Sequence, residues 1–110
     1  MMIPKIIHSY NQNNHVIRYY NGDDKITIFQ SYNTTMFVIH TNPTTWILMD
    51  ESDYNFTRTT CKYLYKFIDD FILYDDDVSV NVRNKLTDVL KSNNIKKSLL
   101  KFYRDEFKIC

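Results

Sequence analysis

The densest group of uncommitted polar side chains lies at Thr57-Arg58-Thr59-Thr60-Cys61-Lys62. Three hydroxyls, a guanidinium and an ammonium stand where a helical pattern begins, and the first N–H groups of a helix have no intrahelical acceptor. Such an end serves as a cap, with Thr57 accepting from the first turn. It serves equally as an anion site, its amides and hydroxyls directed at a phosphate or carboxylate. Arg58 and Lys62 fall one turn apart on one side of that helix, so Arg58, Thr59 and Lys62 form a candidate contact for an anion or for an acidic partner loop. A second group is acidic: Asp69, Asp70, Asp75, Asp76 and Asp77. It lacks the Asp-x-Asp-x-Asp-Gly spacing and closing Glu of a calcium loop. Two roles remain for it, capping the following helix or occupying a basic surface on a partner. A third group is basic. Lys97, Lys101, Arg104 and Lys108 recur at helical spacing, as a nucleic-acid contact or a solvated face would.

Catalytic spacing is missing. The chain has no Gly-x-Ser-x-Gly elbow, no Gly-rich phosphate loop, no His-Glu-x-x-His and no Cys-x-x-Cys, and its single Gly leaves no glycine-dependent loop to build. His8, His15 and His40 converge on a metal only if their strands are neighbours in the right register; otherwise they are ordinary strand residues. The expectation is a protein that is not an enzyme and carries no cofactor and no metal. Tyr10, Tyr19, Tyr20, Phe29, Tyr32, Phe37 and Trp46 would stack bases if one sheet face showed those rings. Residues 1–55, however, hold three Lys/Arg against five Asp/Glu, with only Lys5, Arg18 and Lys25 to meet phosphates.

The elements that position these groups divide the chain in two. Lys5–Tyr10, His15–Tyr20, Ile26–Ser31, Thr35–His40 and Thr45–Asp50 read as strands, β-branched and aromatic, separated by turn residues. The turns are Asn11–Asn14, Asn21-Gly22, Asn33-Thr34 and Thr41-Asn42-Pro43. Gly22, where a type I′ hairpin needs positive φ, is the sharpest of these signals. From Phe56 the period becomes helical. Cys61, Leu64, Tyr65, Ile68, Phe71 and Ile72 form one apolar stripe, with Thr57 as N-cap and Phe56 stapled to Cys61. Val82, Leu86, Val89 and Leu90 form a second, starting at Asp77 or Ser79 and stopped by Ser92-Asn93-Asn94. Ile95, Leu99, Phe102 and Tyr103 form a third. The fold expected is α+β: an antiparallel five-strand meander followed by two or three helices packed on one face. The 110 residues form a single domain, with the meander in 1–50 and the helical part in 57–107.

Net charge is +1, with 44% hydrophobic and 25% charged residues. There is no Ala, one Gly and two Pro against twelve Ile, eleven Asn, ten Lys and nine Tyr. The first three have GC-rich codons and the last four AT-rich ones, which implies an AT-rich genome. Cys61 and Cys110 are too few for a disulfide framework and read as reduced. Met1–Tyr10 has Pro4 and Lys5 where a signal peptide is apolar, and no run reaches transmembrane length. A cytoplasmic protein without membrane contact is expected.

Three segments carry a resemblance: Tyr19-Tyr20-Asn21-Gly22, then Ser31-Tyr32 with Thr35–Val38, then Tyr54-Asn55-Phe56-Thr57-Arg58-Thr59-Thr60-Cys61-Lys62-Tyr63-Leu64-Tyr65-Lys66-Phe67. Their order resembles short uncharacterised phage and prophage proteins of low-GC Gram-positive hosts. In that group a strand meander leads to an aromatic-Ser/Thr-x-Thr-Thr-x-Lys/Arg-His helix start. Tyr63 stands where the pattern has His, and the likeness spans about residues 15–70. It implies a phage accessory protein in the host cytoplasm that binds and modulates a host protein, such as a CRISPR effector or another defence nuclease. Asp69, Asp70, Asp75, Asp76 and Asp77 would form its contact, as a local plug. The alternative is a small nucleic-acid-binding regulator using Lys97, Lys101, Arg104 and Lys108. An antiparallel meander also leaves two edges and a face through which a homodimer could form.

Overall fold

The protein is described from a computed structural model covering residues 3–42, 44–49 and 58–107. Its strands are β1 (Lys5–Ser9), β2 (Asn14–Asn21), β3 (Asp24–Ser31), β4 (Thr34–Thr41) and β5 (Trp46–Leu48). They lie in chain order in one antiparallel sheet. Three helices follow: α1 (Arg58–Phe71), α2 (Val80–Lys91) and α3 (Ile95–Glu106). The expected α+β meander with helices is therefore the observed fold.

Turn chemistry sets each connection. The Asn11 side-chain oxygen accepts the N–H groups of Asn13 at 2.8 Å and Asn14 at 2.9 Å, which folds β1 back onto β2. Between β2 and β3 the Asn21↔Asp24 pair leaves Gly22 and Asp23 as the loop, and Gly22 takes φ 62°. This corrects the Asn21-Gly22 placement by one residue. It also corrects the turn type, since type I′ needs positive φ at both central positions and Gly22 alone has it. The β3–β4 loop is likewise one residue earlier than expected, at Tyr32-Asn33, with Tyr32 at φ 56°. β5 is shorter than the expected Thr45–Asp50, and Asp50 itself lies outside the described residues.

Cross-strand register assigns the faces. Val16 pairs with Phe29 and Phe29 with Phe37; Thr27 pairs with Ile39 and Ile39 with Ile47. These residues are all buried, and the apolar ones share a core with Leu64, Phe67, Ile68 and Ile72 of α1, Val82, Leu86 and Val89 of α2, and Leu99, Phe102 and Tyr103 of α3. The helices thus cover this one face. Phe67 stacks on Phe29 with centroids 5.5 Å apart and meets Phe37 edge-on at 5.8 Å. Residues of opposite parity face away from the helices. Ile6 pairs with Ile17, Ile17 with Ile28, Ile28 with Val38 and Val38 with Leu48, a row crossing all five strands.

Local caps start the later helices. The Ser79 hydroxyl accepts the N–H of Val82 at 3.2 Å and the Asn94 side chain that of Lys97 at 3.1 Å. Of the two candidate starts for α2, Ser79 is the cap. Thr57 and Phe56, expected to cap and staple α1, lie outside the described residues. Among the described residues no helix is long and apolar enough to cross a membrane.

Candidate functional site: a charged cleft beside the turn between α1 and α2

Helix α1 ends at Phe71 and the chain turns through Tyr74–Asp77 before α2, which swings the acidic residues over the end of the sheet. There β2 and β3 present Arg18 and Lys25 on the helix-covered face. The two surfaces enclose an open cleft of about 400 Å³, with Arg18 and Lys25 on the sheet side and Asp70, Phe71, Tyr74, Asp75, Asp76 and Asp77 on the other. The Lys25 ammonium donates to Asp75 Oδ2 at 2.6 Å and to Asp77 Oδ2 at 3.0 Å. Burial pulls the lysine's pKa down, and the hydrogen bonds to the two carboxylates outweigh it, so the net shift is upward. Asp75 also accepts the N–H of Asp77 at 3.0 Å, which fixes the turn. Arg18 is held by its Nε–H, which donates to the Thr27 hydroxyl at 3.1 Å.

Asp75 is therefore not a free partner-binding carboxylate but half of a clasp between β3 and the turn. Nor do Asp75–Asp77 cap α2, since Ser79 does that. Asp70 is occupied too, accepting from the Tyr10 hydroxyl at 3.0 Å. Burial first, then that hydrogen bond and the nearby carboxylates, hold the Tyr10 hydroxyl well above its ordinary pKa, so it stays a neutral donor. Asp69 stands apart, in a depression with Leu73, Tyr74, Thr87, Leu90 and Lys91. What projects outward is Tyr74, 79% exposed, with the fully exposed Asp76 close by and the largely exposed Asp77 beyond it. Asp76 reaches Arg83 only at 3.9 Å. Four carboxylates face two cations, so the cleft suits a guanidinium or ammonium group, which Tyr74 can also meet through its ring face.

The other candidate groups do not converge. Arg58 and Thr59 fall in α1's first turn with their side chains outside the described residues, and Lys62 is exposed, its ammonium 5.8 Å from the Tyr63 ring centroid. On α3, Lys101 pairs with Asp105 at 2.6 Å, and Glu106 pairs with Lys85 of α2. Lys97 is exposed, and Lys108 lies outside the described residues. The proposed basic face is thus interleaved with its own acids. The seven rings proposed as a stacking platform are dispersed. Phe29 and Phe37 are core, Tyr10 lies beneath α1, and Tyr32 sits in a turn. The histidines are equally separate: His8 packs on Tyr10 and Phe71, His15 bonds Ser9 and the Gln12 carbonyl, and His40 stacks on Trp46. Among the described residues no three His, Cys, Asp or Glu side chains are grouped to hold a metal.

Sequence reasoning missed Tyr74, Arg18 and Lys25 as members of one site. The only sequence signal was Tyr74 adjoining the Asp75–Asp77 run; nothing local links that turn to residues some 50 positions earlier. Compared with protein-family models, curated proteins and solved structures, the chain finds no match.

Proposed function

We propose that this chain is a non-enzymatic, phage-type accessory protein of the host cytoplasm that binds and modulates a host protein, a CRISPR effector or other defence nuclease being the target class. The observation that carries the reading is the Tyr74–Asp77 projection. An aromatic ring and exposed carboxylates rise beside a cleft, and exposed aromatics next to a concavity make the anchors of protein interfaces. Its charge calls for a basic surface on the partner, such as the nucleic-acid-binding face of a nuclease. The nucleic-acid-binding alternative is weakened by Asp105 and Glu106 within α3, which engage Lys101 and Lys85. Compensated cations release few counterions from a phosphate backbone.

The test is capture from a low-GC Gram-positive lysate, identification of the retained protein, and assay of that purified protein with and without this chain. Tyr74→Ser combined with Asp76→Asn leaves the Lys25 clasp intact and is expected to abolish both capture and modulation. Retention of nucleic acid alone, insensitive to that variant and removed by moderate salt, would overturn the reading in favour of the regulator.

A further inference from the structure

The sheet's helix-free face is apolar across its whole width. The row Ile6, Ile17, Ile28, Val38, Leu48 crosses five strands through directly paired positions. A second row, Tyr19, Ile26, His40 and Trp46, runs beside it through paired positions as well. Ile26 is 2% exposed yet lies outside the core beneath the helices, so its shelter comes from this face. His40 and Trp46 stack with centroids 4.2 Å apart. Large side chains at the rim remain open to water: Ile6 at 61%, Leu48 at 46% and Trp46 at 40%. Among the described strand residues of this parity, Asp24 is the only carboxylate, and its oxygen lies 3.2 Å from His40.

We infer that this face is the interface of a homodimer, with a second copy of the chain as its occupant and the two sheets packed face to face. Two properties select that occupant. The first is size. Five strands about 4.8 Å apart crossed by these two rows about 7 Å apart give a planar centre of roughly 350 Å² before corrugation. Residues of the same parity beyond it, His15 and Gln30 on one side and Asn21 and Asp24 on the other, supply a polar rim. A stable interface of about 800 Å² of accessible surface per partner is built in that way, from an apolar centre and a polar rim. The second is self-complementarity. A two-fold axis sets a patch against itself, so a charged patch repels its copy, whereas an apolar one whose single carboxylate is taken up in a contact with His40 at its edge carries little charge to repel. The lack of Lys or Arg in these rows also argues against a phosphate backbone. Stacking two sheets in this way, about 10 Å apart, leaves the helices and the Tyr74–Asp77 projection on the two outer sides. The interface is on the opposite side of the sheet from the cleft, and its test is separate.

Sedimentation velocity from about 1 to 200 µM decides it. The wild type is expected to sediment as a dimer of the 13.3 kDa chain. Val38→Lys, in the row on β4 beside the edge strand, is expected to sediment as a monomer. Because Val38 is half-buried, Ile6→Lys and Leu48→Lys serve as rim variants that leave the core untouched. Each is expected to weaken dimerisation at least tenfold with an unchanged circular-dichroism spectrum. A wild type that stays monomeric overturns the inference and leaves the face to a foreign apolar partner. A dimer indifferent to all three lysines overturns it in favour of pairing through a strand edge.

Discussion

Replacing Lys25 with Met removes the ammonium that closes the cleft while keeping most of the side chain's apolar length. The Lys25 side chain is 11% exposed and that of Asp75 15%, with Nζ and Oδ2 2.6 Å apart. A hydrogen bond to a charged group in such a setting contributes roughly 1.5–3 kcal/mol. The second bond, to the largely exposed Asp77, adds about 0–1 kcal/mol because solvent screens it. Asp75 keeps the Asp77 N–H at 3.0 Å after the change, which holds the loss below the roughly 3–5 kcal/mol of a fully buried broken pair. The expected destabilisation is therefore about 2–3 kcal/mol. In urea at neutral pH, with a slope of about 1.5 kcal/mol per molar, the midpoint should fall by roughly 1.5 M. Asp75→Asn keeps an acceptor for the Asp77 N–H but loses the charge. Combined with Lys25→Met in a double-mutant cycle it should show a coupling of about 1–2 kcal/mol. A midpoint shift below about 0.3 M, or additive single changes, would refute the clasp.

Tyr32 holds φ 56° in a two-residue loop, a conformation costing a bulky residue about 1–2 kcal/mol, while its N–H and C=O bonds to Asn13 and Gln30 use the backbone alone. Tyr32→Gly relieves that strain and gives back about 0.5–1 kcal/mol in chain entropy. A net gain of about 0.5 kcal/mol in a thermal or urea melt is expected, and a clear loss would show that the exposed ring contributes packing. Above neutrality the sign also follows from the geometry. Lys25, Tyr10 and Tyr65 have folded-state pKa values above the ordinary 10.5, 10.0 and 10.0. The stability they supply is thus complete below those values and is lost as pH rises past them. Urea midpoints should fall from about pH 10 upward, more shallowly in Tyr10→Phe, and a profile identical in that variant would remove Tyr10 from the account.

The meander was legible because turn residues recur at short intervals and each strand pairs with its neighbour in sequence. Asn11, Gly22, Asn33 and Asn42 punctuate it, and the helices followed from their apolar stripes. The β3–β4 loop centre slipped by one residue because Tyr32, a poor left-handed residue, occupies the position that Asn33 advertised. Phe67 escaped the α1 stripe although i+3 from Leu64 gives it a core position. It proved to be the ring joining Phe29 to Phe37. The cleft was not legible. Asp75 reads locally as a helix-capping acid, and its true partner lies across the fold in a strand where Lys25 looks like any solvated lysine. The apolar outer row was hidden for a related reason. Ile17, Ile28 and Val38 alternate with Val16, Phe29 and Phe37, so the strands are apolar on both parities, and only register separates one face from the other.

The order of the elements has a further consequence during synthesis. Every strand pairs only with the one made just before or after it, so the sheet can close through local hairpins, which carry a small loop-closure cost. All five strands emerge before the first residue of α1, and until Phe67 arrives Phe29 and Phe37 have no helix above them. For that interval the nascent sheet is apolar on both sides with its edges unpaired, the state in which a growing chain is most exposed to misassociation. The helices then do more than complete a core. Their arrival reduces a two-sided apolar sheet to a one-sided one, so the timing of translation past α1 sets how long both faces stay open.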